Sequence, residues 1–239
     1  MIKDFDLLQR ANNDYTTIDL EHAEELAYRE LIDSIRYISL GDECGVMGNI
    51  ANIITYKGRF YIQEEQFDRV FIYDDTGRCL KKIDNKGRGP GEYLRIESID
   101  INTEKEELML VDGMSDKLFF YDLDGNFKSI HSIRYFQTEN TLCLRDSVFL
   151  HISAPSQNFG NEGLYGYALV LSKGNENFLK GYRYLPLQVG YKGGGQIFKG
   201  YERSCYHPIY SDTIYQILSD TTYGPIFYFK IKNSSWEKY

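Results

Sequence analysis

The residues best placed to do chemistry lie in the stretch NKGRGPGEYLRI, positions 85 to 96. Gly87, Gly89, Pro90 and Gly91 crowd into five positions, with Arg88 and Glu92 among them and Tyr93 following. Such a loop could wrap an anion with backbone N–H groups, or present a base beside a guanidinium. Anion loops of the G-x-x-x-x-G-K-[ST] and G-x-G-x-x-G kinds need a following helix, whose N-terminal amides face the phosphate. Here an apolar strand pattern follows, so the loop is expected to turn a corner rather than hold phosphate. Glycine supplies positive φ and proline fixes one φ, so at least one of the three glycines is predicted to take positive φ. Arg88 and Glu92 are expected to pair with each other or with nearby backbone; lining a binding pocket is their other reading. His207, before Pro208 and near Asp212, could act as a base but reads as a hydrogen-bonded loop residue. Tyr191 and Tyr201 bracket a glycine-rich stretch and could stack on a sugar or peptide. No serine sits in a G-x-S-x-G elbow.

The elements that must hold these residues come from a repeat. At an offset of 48 positions, Asp68 meets Asp116, Phe71 meets Phe119, Tyr73 meets Tyr121, Asp74 meets Asp122 and Gly77 meets Gly125. The shared unit is an alternating strand, Asp-basic-apolar-Phe-x-Tyr-Asp-x-x-Gly, and a further strand. Its Asp-x-x-Gly step predicts a tight hairpin turn. The copy "DLDGNF" resembles the start of a calcium loop, but Ile133 stands where that loop needs its glutamate. Two weaker copies follow, and an extra apolar stretch precedes each unit. Four short strands in roughly 45 residues is the content of a β-propeller blade. The expected fold is therefore all-β, with about four four-stranded antiparallel blades over 34–239. A leader over 1–33 is expected to hold a short helix at 19–33.

Composition sets the outer bounds. The 239 residues carry a net charge of −8, which argues against a nucleic-acid partner. Cys44, Cys79, Cys143 and Cys205 are widely spaced with no C-x-x-C pair, and are expected to be lone buried thiols. No apolar run reaches the ~18 residues of a membrane span. The first residues lack the apolar core of a signal peptide, which as written predicts a cytoplasmic chain.

Gly87 to Tyr93, the strand-like Asp33–Leu40 and "SDTIYQI" at Ser211–Ile217 together resemble a family of bacterial six-bladed β-propellers of unknown function. The resemblance covers roughly residues 30 to 231. It implies a six-bladed ring of which four blades are present, with Ser34–Leu40 left over to complete a last blade. It further implies export or lipid anchoring, and assigns no reaction to the motif. Two function classes follow. One is a non-catalytic binding or scaffold propeller for a glycan, peptide or protein, without cofactor, whose open blade edges allow self-association. The other is a lactonase-type hydrolase with one axial divalent cation such as calcium, for which Asn52, Asp100 and Asn140 are the available oxygen donors.

Overall fold

The computed structural model describes residues 6–7, 9–12, 14–22, 30, 32–133, 138–145, 148–153, 164, 166–173, 177–183, 195–200, 203–208, 211–218 and 222–230. The chain starts with three short strands, β1 (Asp6–Leu7), β2 (Gln9–Arg10) and β3 (Thr16–Asp19). Sixteen more strands form four small antiparallel sheets, arranged as a four-bladed β-propeller. Blade 1 holds β4 (Ile50–Tyr56), β5 (Arg59–Glu64), β6 (Arg69–Asp74) and β7 (Cys79–Ile83). Blade 2 holds β8 (Ser98–Asn102), β9 (Glu107–Asp112), β10 (Lys117–Asp122) and β11 (Phe127–Ser132). Blade 3 holds β12 (Asn140–Arg145), β13 (Val148–Ile152), β14 (Tyr167–Lys173) and β15 (Asn177–Arg183). Blade 4 holds β16 (Gln196–Lys199), β17 (Ser204–His207), β18 (Thr213–Ile217) and β19 (Thr222–Lys230).

Alternation along the strands decides the packing, because successive side chains point to opposite faces of a sheet. In blade 1, Tyr61, Val70 and Ile72 face blade 2 and meet Ile99, Ile101, Leu108, Leu110, Phe119 and Tyr121. The opposite faces of blade 2 (Met109, Val111, Leu118, Phe120) meet Cys143 and Phe149 of blade 3. Leu150, Leu169 and Leu171 of blade 3 in turn meet Ile197, Tyr206 and Ile217 of blade 4. The repeated Asp-x-x-Gly steps are the predicted hairpin turns. Asp74 Oδ1 accepts from the Thr76 and Arg78 amides, and Asp122 Oδ1 from those of Asp124 and Asn126. Gly77 and Gly125 take φ of +89° and +79°.

The described residues form four blades, the number the repeat predicts, and no six-bladed ring is seen among them. Two expectations need correction. Residues 34–40 do not pair as a strand; they lie beside the β6–β7 turn, with Tyr37 91% exposed. The leader does not open with a helix at Asp19, which ends β3 and is followed by a single 3-10 turn, Leu20–His22; residues 23–29 lie outside the described set. Thr16–Asp19 instead pairs in parallel with Phe227–Lys230 of blade 4, an arrangement that hydropathy patterning does not encode.

Residues 36–48 cap the face of blade 1 that looks away from blade 2. Cys44 and Met47 pack on Ile62, Phe71, Tyr73 and Cys79, and Cys44 is disulfide-bonded to Cys79. The expectation of four lone thiols fails here: only Cys143 and Cys205 are free, both buried. The two bonded cysteines are 35 residues apart, and the cap brings them together. Thus the start of the leader lies on blades 3 and 4 and its end on blade 1.

Candidate functional site

The four innermost strands line a cleft of about 850 Å³ on the propeller axis. Its wall is largely apolar, from Ile53, Ile54, Ile99, Ile101, Leu142 and Ile197. Ile53 is 51% exposed there and Phe198 43%. The polar lining includes Asn52, Asp100 and Asn140, one from each of the first three inner strands. The arrangement follows from blade geometry: each inner strand is the edge of its sheet at the axis, so consecutive residues such as Ile99, Asp100 and Ile101 line the cleft.

The chemistry of the cleft centres on Lys199. Its ammonium donates to Ile101 O and Cys143 O, each at 2.8 Å, and to Asp100 Oδ2 at 3.3 Å. Those three acceptors match the three protons of an ammonium group. Asp100 Oδ2 also accepts the Cys143 amide at 2.7 Å. Burial pushes the Asp100 carboxyl up in pKa, and the Lys199 charge opposes that rise. Sequence reasoning passed over Lys199, because the fourth inner strand is the weakest copy of the repeat.

The glycine loop lies away from this cleft, between the outer strand of blade 1 and the inner strand of blade 2. It is a closed hydrogen-bonded turn. Gly87 N donates to Tyr93 O, Tyr93 N to Asn85 O and Glu92 N to Gly89 O. The Glu92 carboxylate folds back and accepts the Gly89 amide at 2.7 Å. A Cβ on Gly87 would overlap that carboxylate. The loop does cradle an anion, and the anion is its own side chain. Gly91 has the expected positive φ, +83°. Glu92 thus binds backbone, as one form of the expectation had it. Arg88 is exposed and makes no ion pair with Glu92, so the other form fails. Tyr93 is fully buried, donates to Asp68 O at 2.8 Å and packs edge-on against Phe119. It plugs the seam between blades 1 and 2. His207 lies within 2.8 Å of Ser211 O through Nε2, so that nitrogen carries the proton. Tyr191 and Tyr201 lie outside the described residues.

One serine–histidine pair has the distances of a nucleophile and its base. His151 Nε2 is 2.7 Å from Ser172 Oγ, and Nδ1 is 2.9 Å from Thr141 Oγ1. Yet His151 is fully buried between β-strands and Ser172 nearly so, beyond the reach of a substrate. Burial lowers the His151 pKa to about 3, which keeps the ring neutral. The trio is a hydrogen-bonded core of blade 3. No cluster of three or more His, Cys, Asp or Glu fit to hold a metal occurs among the described residues.

Comparison with known proteins places this geometry in context. A protein of Bacteroides fragilis NCTC 9343, whose name describes it as exported, superposes with a TM-score of 0.76 at 20% identity. The match covers 90% of this chain and 60% of that one. A streptogramin B lyase superposes at 0.50 with 11% identity, over 78% of this chain and 56% of the lyase. A Bacteroides vulgatus member of the DUF4221 family gives 0.48 at 12% identity, over 74% and 57%. The chain therefore spans less than two thirds of each of these proteins. At such identities the likeness concerns the fold alone. No curated protein matches the sequence. Residues 15–238 match a family described as a domain of unknown function, and the chain belongs to that family, DUF4934.

Proposed function

We propose that this chain is a non-catalytic propeller module that binds a glycan, peptide or protein in its axial cleft. The observation carrying this reading is an open, mostly apolar cleft whose ionic pair, Lys199–Asp100, is already satisfied within the protein. Apolar walls with a few fixed polar groups suit recognition by shape and desolvation. The one nucleophile–base pair among the described residues, Ser172–His151, is sealed in the core. The disulfide supports residence in an oxidising compartment outside the cytoplasm, as does the name of the Bacteroides fragilis relative. Copies of the chain also associate in this reading, through the exposed apolar side chains of Ile35, Tyr37 and Val46 beside blade 1.

The lactonase-type reading keeps one observation in its favour: Asn52, Asp100 and Asn140 all line the cleft. Against it, the Lys199 ammonium holds Asp100 and two carbonyl oxygens that an axial cation would use.

Glycan and peptide arrays probed with the whole chain, alongside Ile53→Glu, test the proposal. A ligand whose binding drops at least tenfold in the variant is the expected result. Ligands indifferent to Ile53→Glu would move the site off the axis. Calcium-dependent hydrolysis of a lactone panel would replace binding with the second reading.

A further inference from the structure

We propose that the Cys44–Cys79 disulfide is a redox-operated clasp, whose reduction lifts the 36–48 cap and uncovers the outward face of blade 1. The two ends of this bond belong to parts of very different local stability. Cys79 starts β7 and pairs with Tyr73 in the antiparallel β6–β7 ladder. Cys44 lies in a segment with no strand pairing between residues 34 and 48. That segment is held by scattered bonds. Gly41 N donates to Gly77 O at 2.8 Å, Tyr73 Oη to Gly41 O at 3.2 Å, and Arg36 to Asp75 O at 2.9 Å. Arg69 reaches Val46 O at 3.3 Å. Segments with few ladder bonds and exposed side chains open first, and Val46 is 83% exposed. The disulfide, closing a 35-residue separation, is the covalent tie of the cap beside these bonds and the packing of Met47.

The chemistry is selective for this one bond. Cys44 and Cys79 are both half-buried at the surface, within reach of a reductant. A dithiol reductant attacks one sulfur as its thiolate and forms a mixed disulfide. Its second thiol then resolves that intermediate. The protein gains two electrons and two protons as Cys44 and Cys79 thiols, and the reductant leaves as its own disulfide. Cys143 and Cys205 do not compete, since both are buried and burial pushes both thiols up in pKa, Cys143 to about 12.

Lifting the cap changes what the molecule presents. Ile62, Phe71 and Tyr73 lose their cover. The cross-strand row Ile53–Ile62–Phe71 would then extend the apolar wall of the axial cleft across three of the blade's four strands, up to Lys82. The inference stands without any particular ligand for the cleft.

Hydrogen exchange with mass spectrometry on the whole chain, with and without dithiothreitol, tests it. In the reduced protein, amides of 38–48 should exchange at least tenfold faster while blades 2 to 4 keep their protection. 1-Anilinonaphthalene-8-sulfonate fluorescence should rise in parallel. The Cys44→Ser/Cys79→Ser double variant should reproduce both effects without reductant. Cap amides equally protected in both states would overturn the clasp. So would loss of protection in all four blades together, which would make the bond a global staple. Alkylation of Cys44 and Cys79 in protein isolated without reductant would overturn it as well.

Discussion

Glu92 shows how one side chain can set the requirements of its neighbours. Its carboxylate takes the space that a Cβ on Gly87 would fill and accepts the Gly89 amide. The Gly87→Ala methyl would push a flexible side chain away, so its cost is the lost hydrogen bond, about 0.5–1.5 kcal/mol. Glu92→Ala loses the same bond. Urea denaturation should therefore find the double variant no less stable than the worse single one; additive losses would mean that Gly87 has another role. His151 makes a second residue-scale case. Its folded pKa of about 3 lies below its unfolded value of about 6.5. Between those values the unfolded chain binds a proton that the folded chain refuses. Stability is then fully present above about pH 6.5 and falls as pH drops, by at most ~1.4 kcal/mol per unit. Asp19 and Asp74, lowered to about 2, add their losses only further into acid. Guanidinium midpoints at pH 7 and pH 5 should show the drop, and His151→Gln should flatten it.

Among the elements, the repeated hairpin turns were legible because one pattern of Asp, Gly and alternating apolar residues serves two blades in the same way. The glycine loop was legible as a corner, though not as a pocket for its own glutamate, since nothing local distinguishes an inward Glu92 from an outward one. The cap and its disulfide were not legible. The contact between Cys44 and Cys79 depends on a segment without periodicity lying across a blade face. Gly77 links the two kinds of element. It needs φ of +89° for the turn, and a Cβ there would overlap Ser39 O of the cap. Gly58 also has positive φ, +70°, but its Cβ would meet open space. Gly58→Ala should cost roughly 1 kcal/mol, from backbone strain alone. Gly77→Ala should cost roughly 2–3 kcal/mol, because the cap must shift and lose bonds as well. Equal urea midpoints for the two variants would show that the cap yields freely.

Across the whole molecule, Lys199 joins three blades at one point. Its own strand belongs to blade 4, while its acceptors belong to blades 2 and 3. Asp100 is 4% exposed, so loss of the ammonium strands a buried carboxylate. Lys199→Met should then cost about 3–5 kcal/mol, as when one partner of a buried ion pair is removed. Asp100→Asn in that background should recover part of the loss. A Lys199→Met protein with unchanged thermal stability would show that the blades are fastened elsewhere.

The parallel pairing of Thr16–Asp19 with Phe227–Lys230 has a consequence in time rather than in space. Those partners are 211 positions apart, so β3 finds its place only after the last blade exists. Each blade closes on local hairpins, and β3 is added to blade 4 afterwards. Asp6–Leu7 pairs with Lys180–Gly181 and so needs only blade 3, and Cys44 can settle against Cys79 without the last blade. In a chain folding as it emerges, the disulfide end of the leader therefore forms early, and β2 and β3 pair last.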